Sequence, residues 1–186
     1  RAELRAGLTT LPLSPFMSYR VDPDGRADAA SMFRLADQGT FAPLPRGEAT
    51  FGFRDEKAFW FHSTLFNESN NEQRWLLVLQ YPLLDNVDVY LRYPDGRVDH
   101  LASGDMLPFS ARAIRYRQPN FWVDLPQRTE VELLVRAESK SSMQAPLALY
   151  LVPSRALASE VEAKLTAELG SDLIVTGLYG GADWGI

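Results

Sequence analysis

The chain has no cysteine, so neither a disulfide framework nor a thiolate metal site holds it together, and redox chemistry says nothing of its compartment. Histidine is nearly as scarce, with only His62 and His100. Zinc sites and catalytic triads have almost no material here, and neither GxSxG nor HExxH occurs. Basic clusters are also missing: 19 Lys and Arg stand against 24 Asp and Glu, a net charge of -5, whereas nucleic acid needs a clustered positive footprint. No run of about eighteen apolar residues is present, so no segment spans a membrane as it stands. Internal repeats and low-complexity tracts are absent. The expectation is a domain without catalysis, cofactor or bound nucleic acid.

What is present suits one domain with flanking ends, since 186 residues are enough for a real core but short for two. Twelve Gly and twelve Pro, mixed with short apolar runs, punctuate a chain of short strands. The first residue is Arg1 rather than Met, which reads as a processed or cut fragment. The expected division is an N-terminal flank over 1–17, a β-sandwich over 18–152, and a linker helix with the start of a membrane-proximal segment over 153–186.

Near the start, YRVDPDGRAD predicts a strand over Ser18 to Val21 and a turn set by Pro23 and Gly25. A short helix follows over Asp28 to Gln38, with Met32, Phe33, Leu35 and Ala36 on its apolar side and Gly39 ending it. From Ala49 to Val152 about eight strands are expected, the pattern of an antiparallel sandwich. Alternation puts Val87, Val89 and Leu91 on one face, then Phe121, Val123 and Leu125, then Val131, Leu133, Val135 and Ala137, then Leu147, Leu149 and Leu151. Ser154 caps an expected helix to about Leu169, with Leu157, Val161 and Leu165 in its stripe. Two roles stand for that helix: packing on the sandwich, or a mechanical link to membrane helices.

One strand breaks the pattern. KAFWFHSTLFN, over Lys57 to Asn67, carries Phe59, Phe61, Ser63 and Leu65 on one side and Trp60, His62, Thr64 and Phe66 on the other. A strand half exposed to water has a polar face. What the Trp60 side faces is the question the rest of the chain must answer.

The order of motifs resembles a known family. YRVDPDG, FWFHSTLFN, RWLLVLQYPLLDNVDVYL, PDG, GDMLPFSAR, FWVDLP, LLVRAESKSS and PLALYL, from about Tyr19 to Leu151, are similar to the second type of extracellular domain in bacterial seven-transmembrane receptors with diverse intracellular signalling modules. The resemblance implies an all-β jelly-roll sandwich like carbohydrate-binding modules, with a short N-terminal helix and a C-terminal linker helix. It places the domain in the periplasm, on a protein of the cytoplasmic membrane. Seven membrane helices and a histidine kinase or diguanylate cyclase output would follow. LIVTGLY sits where the family enters its first membrane helix, and Asp183 departs from that pattern, since a charge there is costly.

On such a sandwich the Trp60 side has two readings. In one, Trp60 and His62, with Tyr90 and Arg92, line an open concave face where a ring stacks on a sugar. In the other, the N-terminal strand and helix fold across and bury it. The GDMLPFSAR loop offers Asp105 and Arg112, either as an internal ion pair or as the rim of a cleft. Arg136 either pairs with Asp88 or Asp124 or reaches a ligand. NESNNE, over Asn67 to Glu72, is a polar turn or a calcium loop of no defined spacing. Glu130 with Glu132 suggests a glycosidase pair, against the ordinary meaning of an exposed acidic strand edge.

The expected function is therefore that of a periplasmic sensor domain. Its expected ligand contacts are Trp60, His62, Tyr90, Arg92, Asp105, Arg112 and Arg136, toward a carbohydrate-like or other small molecule. A homodimer or receptor-contact module and a carbohydrate-binding module of a secreted enzyme are the two alternatives.

Overall fold

Alternating apolar residues make strands that must bury one face, and here two sheets bury theirs against each other. The computed structural model describes residues 1–8, 10–44, 50–52, 58–70, 73–79, 85–103, 119–138, 143–144 and 149–153. Its elements begin with β1 (Ala2–Leu4), β2 (Leu11–Pro12), a 3-10 turn at Ser14–Phe16, β3 (Ser18–Asp22), α1 (Ala29–Asp37), β4 (Ala42–Pro43) and β5 (Thr50–Gly52). The long strands follow as β6 (Ala58–Asn67), β7 (Arg74–Leu79), β8 (Asn86–Arg92), β9 (Val98–Ser103), β10 (Asn120–Asp124) and β11 (Glu130–Glu138), ending with β12 (Met143–Gln144) and β13 (Leu149–Pro153).

The larger sheet runs β4-β3-β6-β11-β8-β9, and the smaller runs β10-β7-β13-β2. From β6 onward the long strands cross repeatedly between sheets, β6 in the larger, β7 in the smaller, β8 and β9 back in the larger, then β10, β11 and β13 in turn. Among the described residues this is the jelly-roll sandwich, all-β apart from one short α-helix. The inward sets share one core, in which Phe59, Phe61, Val89 and Leu133 of the larger sheet meet Trp75, Leu77, Phe121 and Val123 of the smaller. Tyr93, just beyond β8, closes one end by donating its hydroxyl to the Asp124 carbonyl at 2.9 Å.

Residues 1–17, set apart as a flank by the sequence, join this body. β1 pairs in parallel with the last third of β6, on the edge that β3 occupies antiparallel along the first half. Ala2, Leu4, Leu13 and Met17 enter the core. A three-residue strand carries too little alternation to announce itself.

The helix forms as its end signals require. The Asp28 side chain accepts from the Ser31 amide at 2.7 Å, an N-cap. At the other end Gly39 takes φ 67°, and its amide reaches the Ala36 carbonyl at 2.8 Å. Only a left-handed residue completes this closure without strain. Before the helix, the Asp22 carboxylate gathers the amides of Gly25 and Ala27, each at 3.1 Å.

One expectation is corrected by strand order. β11 lies between β6 and β8, so Glu130 and Glu132 are on a central strand and not on an acidic edge. The helix expected after Ser154, the LIVTGLY tail and Asp183 lie outside the described residues.

Candidate functional site

The register of three central strands decides which polar side chains meet on the outer face of the larger sheet. β11 sets Glu132 beside Arg92, Leu134 between His62 and Tyr90, and Arg136 between Trp60 and Asp88. β8 and β9 set Tyr90 beside His100. Every second residue here points away from the core, so these side chains share one face.

A row of rings crosses the strands. Trp60 stacks on Tyr90 with centroids 6.0 Å apart, and Tyr90 stacks on His100 at 4.4 Å and 5° between planes. The Arg136 guanidinium sits 5.8 Å from the Trp60 ring centroid, a cation over a π-face. Arg136 also donates to the Gly25 carbonyl at 3.0 Å, bonds Glu138, and pairs with Asp88 at 3.5 Å. Asp88 in turn holds the His100 Nε2 at 2.8 Å.

Beside this row lies a charged cluster. The Arg92 Nε donates to Glu132 at 3.1 Å and its Nη2 at 2.6 Å, while Nη1 donates to Asp37 at 3.1 Å. Glu132 also meets the His62 Nε2 at 3.2 Å. The His62 bond, followed by those from Arg92, holds the Glu132 carboxyl below its ordinary range. Asp37 is held low by the Arg92 bond. Burial pushes the Tyr90 phenol up, and Asp88 adds to it.

The helix closes over this face. Met32 and Phe33 of α1 pack with Trp60 and Leu134 in a cluster separate from the main core. Trp60 is 0% exposed, and its Nε1 donates to Asp22 at 3.3 Å. The expectation of an open Trp60 ring is therefore corrected: with α1 seated, the indole has no surface to offer. Phe41, past the helix, meets His62 edge-on at 5.9 Å. This answers the puzzle of β6, which carries aromatics on both sides: Phe59 and Phe61 face the sandwich core and Trp60 faces the helix.

The structure thus brings His62, Tyr90, Arg92 and Arg136 together, with Trp60 beneath the helix. Arg136 pairs with Asp88, one of its two expected partners. Asp105 and Arg112 lie outside the described residues, as do 71–72 of the polar turn. Asn67 in that turn is buried, donating to the Leu125 carbonyl at 2.7 Å and accepting from the Ser69 amide at 3.0 Å. Sequence reasoning missed Asp37, Phe33 and Glu132 as members of the site. For Glu132 a signal existed, since alternation along β11 puts its carboxylate on the same outward side as Arg136.

The profile of a family described as 7TMR-DISM extracellular 2 matches residues 14–151. No curated protein matches the chain. Among solved structures, a calcium binding mutant of Bacteroides uniformis beta-glucuronidase 2 is similar at a TM-score of 0.42 and 14% identity, over 77% of this chain and 18% of that one. The chain therefore spans under a fifth of that protein's length. Among the described residues, no helix is long and apolar enough to cross a membrane.

Proposed function

This chain belongs to the second type of extracellular domain of seven-transmembrane receptors with diverse intracellular signalling modules, and on that premise we propose that the outer face of its larger sheet is the input site of a periplasmic sensor. The observation that carries the reading is the stack of Tyr90 on His100 flanked by Arg92 and Arg136. Stacked rings beside forked donors are what a small ligand with an apolar body and polar groups requires. A carbohydrate-like molecule is one ligand class of that description. Occupancy acts on the receptor only so far as the ligand prefers one arrangement of domain and membrane helices over another. The output, a histidine kinase or a diguanylate cyclase, belongs to the intracellular part of the receptor.

A thermal-shift screen against saccharides, carboxylates and amino acids tests this reading, repeated on Arg92→Gln. A ligand selective for the folded state raises the melting temperature as its concentration passes the dissociation constant. A shift in the native chain that Arg92→Gln abolishes supports the input site. A shift that survives Arg92→Gln and Arg136→Gln moves the site elsewhere.

A second reading takes contact with another protein as the input. It is supported by β9, an end strand in the sheet order, whose Val98 is 45% exposed beside exposed His100 and Ala102. Concentration-dependent self-association with no ligand response favours it.

A further inference from the structure

Helix α1 meets the sheet in the way a bound molecule would. Of its nine residues only Met32 and Phe33 are buried, and both rest on Trp60 and Leu134 in a cluster apart from the main core, with half-buried Ala29 and Leu35 packed at its margin. Its last residue, Asp37, presents a carboxylate to Arg92, and the same guanidinium lies 4.5 Å from the Phe33 ring centroid. A carboxylate and a phenyl ring are thus delivered together onto one cation and one apolar shelf.

Three features make this contact exchangeable. Arg92 keeps a second counter-ion on the sheet, Glu132, so its guanidinium stays aimed outward when Asp37 leaves. A helix of nine residues is too short to hold its form alone, so α1 stands only while this small contact stands. Its attachments lie outside the contact: the Asp22 turn before it and the left-handed Gly39 after it.

Resting on the reading of this face as the input site, we infer that α1 is an internal surrogate for the effector, and that the effector is an amphipathic carboxylate. Its carboxylate takes the place of Asp37 on Arg92, and an aromatic or branched apolar body takes the place of Phe33 and Met32 on Trp60, Tyr90 and Leu134. A sugar needs polar partners spread around its ring, whereas the surface beneath Met32 and Phe33 is the indole of Trp60, the side chain of Leu134 and the ring of Tyr90. The effector binds the form in which α1 has lifted, and so shifts the population toward it.

Amide hydrogen exchange on the full 186-residue chain tests this, with hydrocinnamate as probe, hydrocinnamyl alcohol as the same body without the charge, and acetate as the charge without the body. Hydrocinnamate is expected to speed exchange in α1 in proportion to its occupancy of the lifted form, about tenfold at about ten times the dissociation constant for that form. Exchange in β6 and β11 stays unchanged. The alcohol and acetate leave α1 exchange unchanged, Arg92→Gln abolishes the response, and Asp37→Asn speeds α1 exchange without any ligand. Exchange in α1 that is indifferent to hydrocinnamate, or that responds equally to all three compounds, overturns the inference. If a saccharide raises the melting temperature while α1 exchange stays fixed, the surrogate falls and the sensor face stands. If neither measurement responds to any compound, both fall.

Discussion

Arg92 on β8 and Asp37 at the end of α1 meet across 55 positions of sequence, with the guanidinium Nη1 3.1 Å from the carboxylate. The pair fastens the helix to the face it covers. Because Arg92 also grips Glu132, which in turn holds His62, one cation on β8 ties the helix to β11 and, through Glu132, to β6. The pair itself is half open to water on the Asp37 side, so it steers the helix more than it stabilises the fold.

Trp60→Ala is expected to destabilise the domain by about 3–5 kcal/mol, the range for emptying a buried aromatic site. A ring on an open sugar-binding face would lose little stability on truncation. Denaturant unfolding decides between them, with Trp60→Phe separating the lost volume from the lost bond to Asp22.

Acid is expected to loosen the helix. Asp37 and Glu132 are both held below the ordinary carboxylate range, Asp37 by Arg92 and Glu132 first by His62. A depressed carboxylate binds fewer protons folded than unfolded, so its stabilisation is present above its unfolded value and lost as pH falls through the folded one. Melting temperature is expected to drop below about pH 4, with a shallower slope in Asp37→Asn. Identical slopes would mean that the pair contributes nothing to the acid response.

Glu132→Gln is expected to cost about 1–3 kcal/mol, since Arg92 and His62 both lose a charged acceptor in a half-buried setting. Glu130→Gln, two residues earlier and paired with Arg1 at 3.4 Å in the open, is expected to change stability by about 0.5 kcal/mol or less. Equal losses would contradict the division of roles along β11.

Tyr93 gives an alkaline counterpart. Burial, with the Asp99 carboxylate adding to it, pushes its phenol up to about 12. The folded state therefore keeps a proton that the unfolded state releases near pH ~10, so stability declines as pH rises between those two values. Tyr93→Phe is expected to flatten that decline and to cost about 1 kcal/mol through the lost bond to the Asp124 carbonyl. Tyrosinate absorbance followed alongside unfolding checks both.

Much of this architecture was legible in single stretches of sequence. Val87, Val89 and Leu91 are all buried, because each strand states its inward face through a two-residue period. The helix declared its ends through Asp28 and Gly39. What was not legible depends on distant partners. Alternation says that Trp60 and His62 share a side, but not that a helix about thirty residues earlier lies on it. The central position of Glu132 needed the strand order, and the pairing of Asp37 with Arg92 needed the helix to be placed. The aromatic residues on both sides of β6 were the one local hint, since a strand covered on both faces has use for them.

Input at the outer face of the larger sheet is tested most directly by amide chemical-shift mapping of the domain with whichever small molecule raises its melting temperature. Perturbations are expected in α1 and at outward positions of β6, β8 and β11, led by the amides around Trp60, Tyr90 and Arg92, and absent from Arg92→Gln. Perturbations gathered on β7 and β10 of the opposite sheet would contradict it.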